Sequence, residues 1–179
     1  MMLLLRPEAL RRKTEDLLMK NFTWDICREC NFECGYCFNA QAGFGIPVAA
    51  RSPGEIEEAW KKVFDAYGRC FIRITGGEPF LYPYFAEIIS RITKFHKVHV
   101  TSNLSQGLDD FVSKTDPRSV EMNSTFHPSR AGYGDFANQV LKLRRAGFKC
   151  EACYLAHPSQ LREMGNAPLI AAGHGRSSQ

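Results

Sequence analysis

Apolar and β-branched residues are concentrated in five short segments of the chain, at roughly 22–28, 69–75, 97–102, 119–126 and 148–156. Each segment has the length and composition of a β-strand. Between these segments, apolar residues recur at helical spacing, so predicted strands and helices alternate. This alternation predicts right-handed βαβ units and therefore an α/β fold with a parallel sheet of about five strands.

The clearest helical pattern follows Ser52 and Pro53. Glu55 lies three residues after Ser52, as in a capping box, and Gly68 marks the end of the helix. We expect one face of this helix to be buried, comprising Ile56, Ala59, Trp60, Val63, Phe64 and Tyr67. The other helices are predicted at about 85–92, 108–112 and 135–147.

The two ends of the chain differ from this alternating region. Within residues 1–21, an amphipathic pattern predicts an N-terminal helix, whereas residues 22–161 form the predicted core domain. Residues 162–179 lack a regular pattern, and we expect a disordered tail. The apolar run at 1–5 is too short for a signal peptide or a membrane span, which favours a cytoplasmic protein.

Composition narrows the possible partners. The chain has 179 residues, and its 23 basic and 19 acidic residues are spread along the sequence. The formal net charge of +4 therefore gives no concentrated basic surface of the kind that binds nucleic acid. Seven cysteines are present, and several crowd into residues 27–37, where disulfides would be strained. Metal binding in a reducing compartment fits this spacing better.

Three of these cysteines, Cys30, Cys34 and Cys37, follow the first predicted strand. Ligands gather at the carboxyl ends of parallel strands, so these thiols lie at the expected binding edge. Three thiolates can hold three irons of a cubane and leave the fourth iron open to a substrate. The alternative is a zinc site that adds Cys27, but the three-residue gap between Cys30 and Cys34 is short for zinc modules and favours iron–sulfur.

The spacing Cys30-x3-Cys34-x2-Cys37, with Tyr36 before the last cysteine, resembles the signature of the radical S-adenosylmethionine (SAM) superfamily. The second predicted strand ends in Gly76-Gly77-Glu78-Pro79, which resembles the GGE segment that contacts the methionine end of SAM in that family. The resemblance extends over about 22–160. It implies a [4Fe–4S] cluster on the three cysteines and S-adenosyl-L-methionine as cofactor.

The resemblance also implies which residues contact SAM. Tyr36, Gly76, Gly77 and Glu78 are expected there: paired glycines allow close backbone approach, and a carboxylate can accept from an ammonium. The alternatives are a plain turn for the glycines and a structural role for Glu78.

The later strand ends supply further expected SAM contacts. Ser124 is the expected ribose contact, and Tyr154 with Leu155 is expected to pack on the adenine. Asn103 is either a cofactor contact or part of an Asx turn. Arg130 either meets the SAM carboxylate or lies on the solvated surface.

The remaining histidines and cysteines have simpler interpretations. His127 and His157 each precede a proline after a predicted strand, where a loop role is more common than acid–base chemistry. Cys150 and Cys153 form a C-x2-C within a strand, which sends their side chains to opposite faces and disfavours joint ligation. Cys27 and Cys70 are expected to be packed residues.

The activity that the resemblance implies is one-electron reduction of SAM, which yields methionine and a 5′-deoxyadenosyl radical that abstracts hydrogen from an unknown substrate. An external flavodoxin or ferredoxin supplies the electron. The family core has six βα units, whereas this sequence predicts five, so we expect a partial (βα) barrel. The chain is then an active enzyme, an inactive truncated fragment or, alternatively, a zinc-binding interaction module. An open sheet edge also predicts dimerisation or partner binding.

Overall fold

The computed structural model describes residues 19–38 and 49–158. It confirms the five strands, which are β1 (Asn21–Cys27), β2 (Phe71–Gly76), β3 (Lys97–Ser102), β4 (Val120–Phe126) and β5 (Lys149–Tyr154). The intervening helices are α1 (Pro53–Tyr67), α2 (Phe85–Ile92), α3 (Asp109–Lys114) and α4 (Tyr133–Arg145), with a 3-10 turn at Pro79–Leu81. The expected N-terminal helix before residue 19 and the expected disordered tail at 162–179 lie outside the described residues. Within the described ranges, no helix is long and apolar enough to span a membrane.

The five strands form one parallel sheet in which their spatial order, β1-β2-β3-β4-β5, equals their order in the chain. Among the described residues, β1 and β5 each pair with a single strand, so the sheet is open. The expected partial (βα) barrel is therefore confirmed. The pairing of β1 with β2 shifts register between Asp25 and Cys27, immediately before the cysteine loop.

One face of the sheet packs against the helices. Alternate strand residues point toward this face, as the two-residue period of a strand requires. The predicted apolar face of α2 is confirmed, since Phe85, Ile88, Ile89 and Ile92 are all buried. The sheet residues in the same hydrophobic core include Ile72, Ile74, Val98, Val100, Val120 and Met122.

The opposite face of the sheet is polar. Arg73, His99, Glu121 and Lys149 lie in register across four strands on this face. Near the carboxyl ends of the strands, the residues of this face are threonines, namely Thr75, Thr101 and Thr125. Polar side chains therefore cover the side of the sheet that leads to the cysteine loop.

Helix α1 has the expected ends but a less buried face than predicted. Ser52 and Glu55 form the capping box, and Gly68 ends the helix with a φ of 71°. Only Ile56 is fully buried, whereas Ala59, Phe64 and Tyr67 are exposed. The reason is that α1 lies at the β1 edge of the described sheet, where Trp60 packs on Phe22 and Trp24 and fewer neighbours cover the helix.

Candidate cluster and cofactor site

The three predicted ligand cysteines line a single cavity at the carboxyl ends of the strands. Cys30, Cys34 and Cys37 lie on its wall, and its volume is about 210 Å³. The strand ends of β2, β3 and β4 supply most of the remaining lining, which comprises Thr75, Gly76, Gly77, Glu78, Thr101, Ser102, Asn103, Thr125 and His127, together with Phe32. The cavity lies at the carboxyl ends of the strands, the edge at which the alternating pattern predicts a ligand site.

Electrostatic interaction links the three thiols. Burial raises the pKa of the Cys30 thiol, and negative charge on Glu78, Cys34 and Cys37 raises it further. Three thiolates near one another repel unless a cation neutralises them, and metal ligation deprotonates thiols for the same reason. The donor set is therefore chemically suited to a soft metal centre.

The three thiols are distributed over the wall of one cavity. Within the described part of the chain, no three His, Cys, Asp or Glu side chains are grouped so that they could hold one metal ion. In a cubane each cysteine binds a different iron, so the ligands surround the cluster rather than converge on one point. Three thiols spread over the wall of one cavity fit the iron–sulfur interpretation.

Cys27 does not join the other three cysteines on the cavity wall. Its thiol is buried and donates to the carbonyl oxygen of Glu78 at 3.3 Å. Burial raises the pKa of Cys27 to about 11, and the described lining of the cysteine cavity does not include this residue. The four-cysteine zinc alternative loses its fourth ligand, and the expectation that Cys27 is a packed residue is confirmed.

The two glycines at the end of β2 are required because the end of β1 and the segment that follows it pass too close to them for a side chain. Gly76 has a φ of 138°, and a Cβ there would overlap the carbonyl oxygen of Cys27. A Cβ on Gly77 would overlap the carbonyl oxygen of Glu29. The Gly77 amide donates to the carbonyl oxygen of Cys27 at 2.9 Å, and this hydrogen bond holds the two segments together. The sequence predicts that the glycines admit a ligand; in the structure they admit the segment that leads into the cysteine loop, and they line the cavity.

Glu78 makes the contacts of a structural residue, while its contact with SAM stays a prediction. Its side chain is 1% exposed, and its carboxylate accepts from Ser102 Oγ at 2.8 Å and from the Asn103 amide at 2.8 Å. The Phe80 amide is a third donor, at 3.1 Å. Burial raises the pKa of Glu78, while the three hydrogen bonds act in the opposite direction. Both carboxylate oxygens are therefore engaged in joining the ends of β2 and β3.

Asn103 forms the predicted Asx turn and also lines the cavity, while its contact with the cofactor stays a prediction. Its Oδ1 accepts from the Ser105 amide at 2.9 Å, which is an Asx turn. Its Nδ2 donates to Asn31 Oδ1 at 3.2 Å and lies 4.0 Å from Cys30 Sγ. The side chain thus holds the cysteine loop against the end of β3 while it lines the cavity.

Ser124 and Tyr154 do not reach the cavity. Ser124 is fully buried, and its Oγ lies 3.2 Å from Cys150 Sγ. Tyr154 packs against Phe126 on the same helix-covered face. Both side chains follow the phase of the buried residues of their strands, and the ribose and adenine contacts stay predictions. The neighbouring Thr125, which we did not predict, has the opposite phase and lines the cavity.

His127, for which the sequence favours a loop role, packs on the cysteine loop. Its ring stacks on Tyr36 at a centroid distance of 6.2 Å, and its Nδ1 lies 3.2 Å from the Tyr36 hydroxyl. His157 also stacks on Tyr36, at 5.0 Å. Burial lowers the pKa of His127, which favours a neutral ring. Histidine at the end of β4 was visible in the sequence, but its contact with the loop depends on the folding of both segments.

The other predicted residues have clear positions. Arg130 lines a second cavity of about 480 Å³, which shares Phe32 and Asn103 with the cysteine cavity. Cys150 is buried and Cys153 is exposed, which confirms that they point to opposite faces. Cys70 is fully buried, as expected.

Sequence comparison decides the family. The sequence model of the Radical SAM superfamily matches residues 24–120, which is more than half of the chain. The chain belongs to the radical SAM superfamily. The resemblance that the cysteine and glycine motifs indicated is thereby confirmed.

Curated relatives of this radical SAM chain include GTP 3′,8-cyclases. It is 25% identical over 134 residues to that of Xanthomonas axonopodis pv. citri, covering 73% of this chain and 32% of the relative. It is 32% identical over 106 residues to that of Vibrio cholerae serotype O1, covering 53% of this chain and 30% of the relative. The chain thus spans about a third of the length of these relatives.

Solved structures share the fold. The radical SAM chain resembles anSMEcpe with bound AdoMet, with a TM-score of 0.64 and 13% identity over 82% of this chain and 46% of that one. It also resembles Streptococcus suis SuiB bound to the precursor peptide SuiA, with a TM-score of 0.62 and 17% identity over 88% of this chain and 38% of that one. BtrN in complex with AdoMet and 2-DOIA gives a TM-score of 0.59 at 13% identity, over 84% of this chain and 64% of that one.

Membership establishes the class of cofactors. Radical SAM enzymes use a [4Fe–4S] cluster and S-adenosylmethionine and take electrons from external donors. The predicted cofactors are confirmed at this level. The chain carries a radical SAM enzyme domain, and Cys30, Cys34 and Cys37 line one cavity in it.

Proposed function

We propose that Cys30, Cys34 and Cys37 hold a [4Fe–4S] cluster and that the adjoining cavity binds S-adenosylmethionine for reductive cleavage. The observation that carries this proposal is the single cavity lined by all three thiols and by the glycine-containing end of β2. When bound, the cluster and SAM supply one-electron cleavage to methionine and a 5′-deoxyadenosyl radical that abstracts hydrogen from a substrate.

The residues of the chain hold and orient these groups. Three thiolates supply one ligand each. Glu78 fixes the relative positions of the β2 and β3 ends, and Asn103 holds the cysteine loop beside them. Thr125 presents its side chain to the same cavity. We propose it as a polar contact for the cofactor in place of the buried Ser124.

The proposal covers the binding and cleavage of SAM and does not include a substrate. The curated relatives are GTP cyclases, whereas the structural neighbours were solved with 2-DOIA or with a precursor peptide. These proteins resemble the same domain but act on or bind different molecules. The substrate class therefore does not follow from the fold. A flavodoxin or ferredoxin is the proposed external electron donor.

Anaerobic reconstitution with iron and sulfide tests the proposal. We expect about four irons per chain and, after reduction by dithionite, slow conversion of SAM to methionine and 5′-deoxyadenosine. The Cys30→Ala, Cys34→Ala and Cys37→Ala variants should each lose both properties. Cys153→Ala is the matched control, because Cys153 is exposed and does not line the cavity.

Two results would contradict the proposal in different ways. Stoichiometric zinc with no uptake of iron would support the interaction-module alternative. An intact cluster that neither binds nor cleaves SAM would support the inactive-fragment alternative.

A further inference from the structure

His127 contacts the cysteine loop through its Nδ1 nitrogen and through two aromatic rings that pack against its imidazole. Its Nδ1 lies 3.7 Å from Cys34 Sγ and 3.2 Å from the Tyr36 hydroxyl. Phe32 packs edge-on against the ring at 5.8 Å, and Tyr36 stacks on it with an interplanar angle of 7°. Aromatic side chains of the cysteine loop thus fix where the nitrogen points.

We propose that His127 is a positioning residue that donates an Nδ1–H hydrogen bond to the sulfur of Cys34 and thereby raises the reduction potential of the cluster. This inference rests on the proposed function, since it requires Cys34 to be a cluster ligand.

The chemistry of a ligating cysteine determines the direction of the bond. A thiolate bound to iron has no proton, so its sulfur can only accept. The Nδ1···Sγ contact is therefore attractive only when Nδ1 carries the hydrogen. The Tyr36 hydroxyl, which can donate or accept, is compatible with this tautomer.

The burial of the contact determines its effect. Cys34 is 5% exposed, so the hydrogen bond acts with little screening by water. Reduction adds one negative charge to the cluster, and a donor to a ligand sulfur stabilises that added charge. The electron comes from a low-potential external donor, no covalent bond forms or breaks, and the proton stays on Nδ1.

Two substitutions test the Nδ1 donor and the aromatic ring of His127 separately. His127→Phe keeps an aromatic ring between Phe32 and Tyr36 but removes the donor. His127→Asn removes the ring but places an amide N–H near the former Nδ1. His157→Phe is the matched control, because it changes another histidine ring that stacks on Tyr36.

The measurement is a redox titration of the reconstituted proteins, followed by electron paramagnetic resonance of the reduced cluster. We expect His127→Phe to lower the midpoint potential, so that the ratio of reduced to oxidised cluster at a fixed potential falls several-fold. His127→Asn should recover part of this loss, and His157→Phe should match the wild type. In resonance Raman spectra, the wild-type iron–cysteine stretching bands should shift in D₂O more than those of His127→Phe.

These experiments distinguish failure of the role proposed for His127 from failure of the proposed function. A wild-type protein that takes up no iron would refute the cluster itself. A cluster whose potential and D₂O shift are unchanged in His127→Phe would overturn only the role of His127. Loss of the cluster in both His127→Phe and His127→Asn would also overturn it, because the imidazole would then be needed to build the site rather than to set its potential.

Discussion

The phase of a side chain along its strand determines whether a polar residue at the end of β4 can meet a ligand. Ser124 and Thr125 are adjacent and chemically similar, yet Ser124 is buried beside Cys150 and Thr125 lines the cysteine cavity. Because successive residues of a strand point to opposite faces, a shift of one position exchanges a core residue for a site residue.

This difference gives a prediction for cofactor binding. In reconstituted protein, Thr125→Val should raise the Kd for SAM about fivefold, as expected for one lost hydrogen bond of about 1 kcal/mol. Ser124→Ala should leave the Kd within about twofold of the wild type. Isothermal titration calorimetry under anaerobic conditions measures both, and the reverse order of effects would restore Ser124 as the contact.

Glu78 gives a prediction for stability. Its carboxylate accepts three hydrogen bonds, and Glu78→Gln replaces one acceptor oxygen with a donor that faces N–H and O–H groups. We expect the free energy of unfolding in urea to fall by about 1–3 kcal/mol, because buried donors lose their acceptor.

The matched control for this prediction is Glu121→Gln, which removes a solvent-exposed ion pair with Lys149. Its cost should be below about 1 kcal/mol. Equal losses in the two variants would show that Glu78 does not join the strand ends in the way that its hydrogen bonds indicate.

Predictability from sequence differs among these residues for a physical reason. Cys30, Cys34 and Cys37 could be predicted as one group because they lie close together on a single loop, so that local sequence already brings them to the same cavity. The depth of Ser124 was not, since it depends on which face of β4 the helices cover. The ring of His127 meets Cys34 across 93 positions of sequence, a contact that no local pattern specifies.

At the scale of elements, the cysteine loop is supported by the end of the neighbouring strand. The amides of Gly77 and Glu78 donate to the carbonyl oxygens of Cys27 and Glu29 at 2.9 and 2.8 Å. The end of β2 thus sets the path by which the chain leaves β1 and enters the loop.

Gly77→Ala tests this support. The added Cβ meets a backbone carbonyl, which cannot rotate away, so the entry to the loop must shift. We expect less iron per chain after reconstitution and a loss of about 1–3 kcal/mol in stability, as in overpacked sites. Gly35→Ala is the control: it lies in the cysteine loop itself, and a Cβ there would meet nothing within 4 Å. Equal iron contents in the two variants would show that the close packing at Gly77 does not position the cysteine loop.

His96 joins helix α1 to the start of β2. The ring is fully buried, its Nδ1 accepts from the Cys70 amide at 3.2 Å, and its Nε2 lies 2.9 Å from the carbonyl oxygen of Trp60. These partners require a neutral ring that donates through Nε2. Burial lowers the pKa of His96 below its usual value, and the positive charge of Arg69 acts in the same direction.

Stability should therefore depend on pH through His96. The folded state has the lower pKa, so the stabilisation is fully present above the unfolded pKa of about 6.5 and is lost as the pH falls through the folded pKa. Urea unfolding at pH 7.5, 6.5 and 5.5 should show declining stability. His96→Gln should flatten this decline over the same range, and an unchanged slope would exclude His96 as its source.

The elements themselves were predictable where their signals are local. The capping box of α1 is set by Ser52 and Glu55, three residues apart, and both ends of that helix were found from sequence. The exposure of Phe64 and Tyr67 was not, because periodicity shows that a helix has an apolar face but not how much of it is covered.

At the scale of the whole molecule, the described sheet ends at β5, which pairs only with β4 in the described residues. An unpaired strand edge favours association with another strand. Sedimentation velocity should show a weight-average mass that rises with protein concentration. Hydrogen exchange of the Lys149–Tyr154 amides should slow in parallel, while that of the central strand β3 stays constant. A monomer at every concentration, with β5 amides already protected, would contradict this prediction.

The order of strands in the sheet also bears on how the chain folds as it is synthesised. Each strand lies beside the one made just before it, so every new strand finds its partner already present on the emerging chain. The supports of the cysteine loop arrive in the same order: Gly77 and Glu78 first, Ser102 and Asn103 next, and His127 last. The side chains that line the cysteine cavity within the described part of the chain are therefore all made before β5 leaves the ribosome.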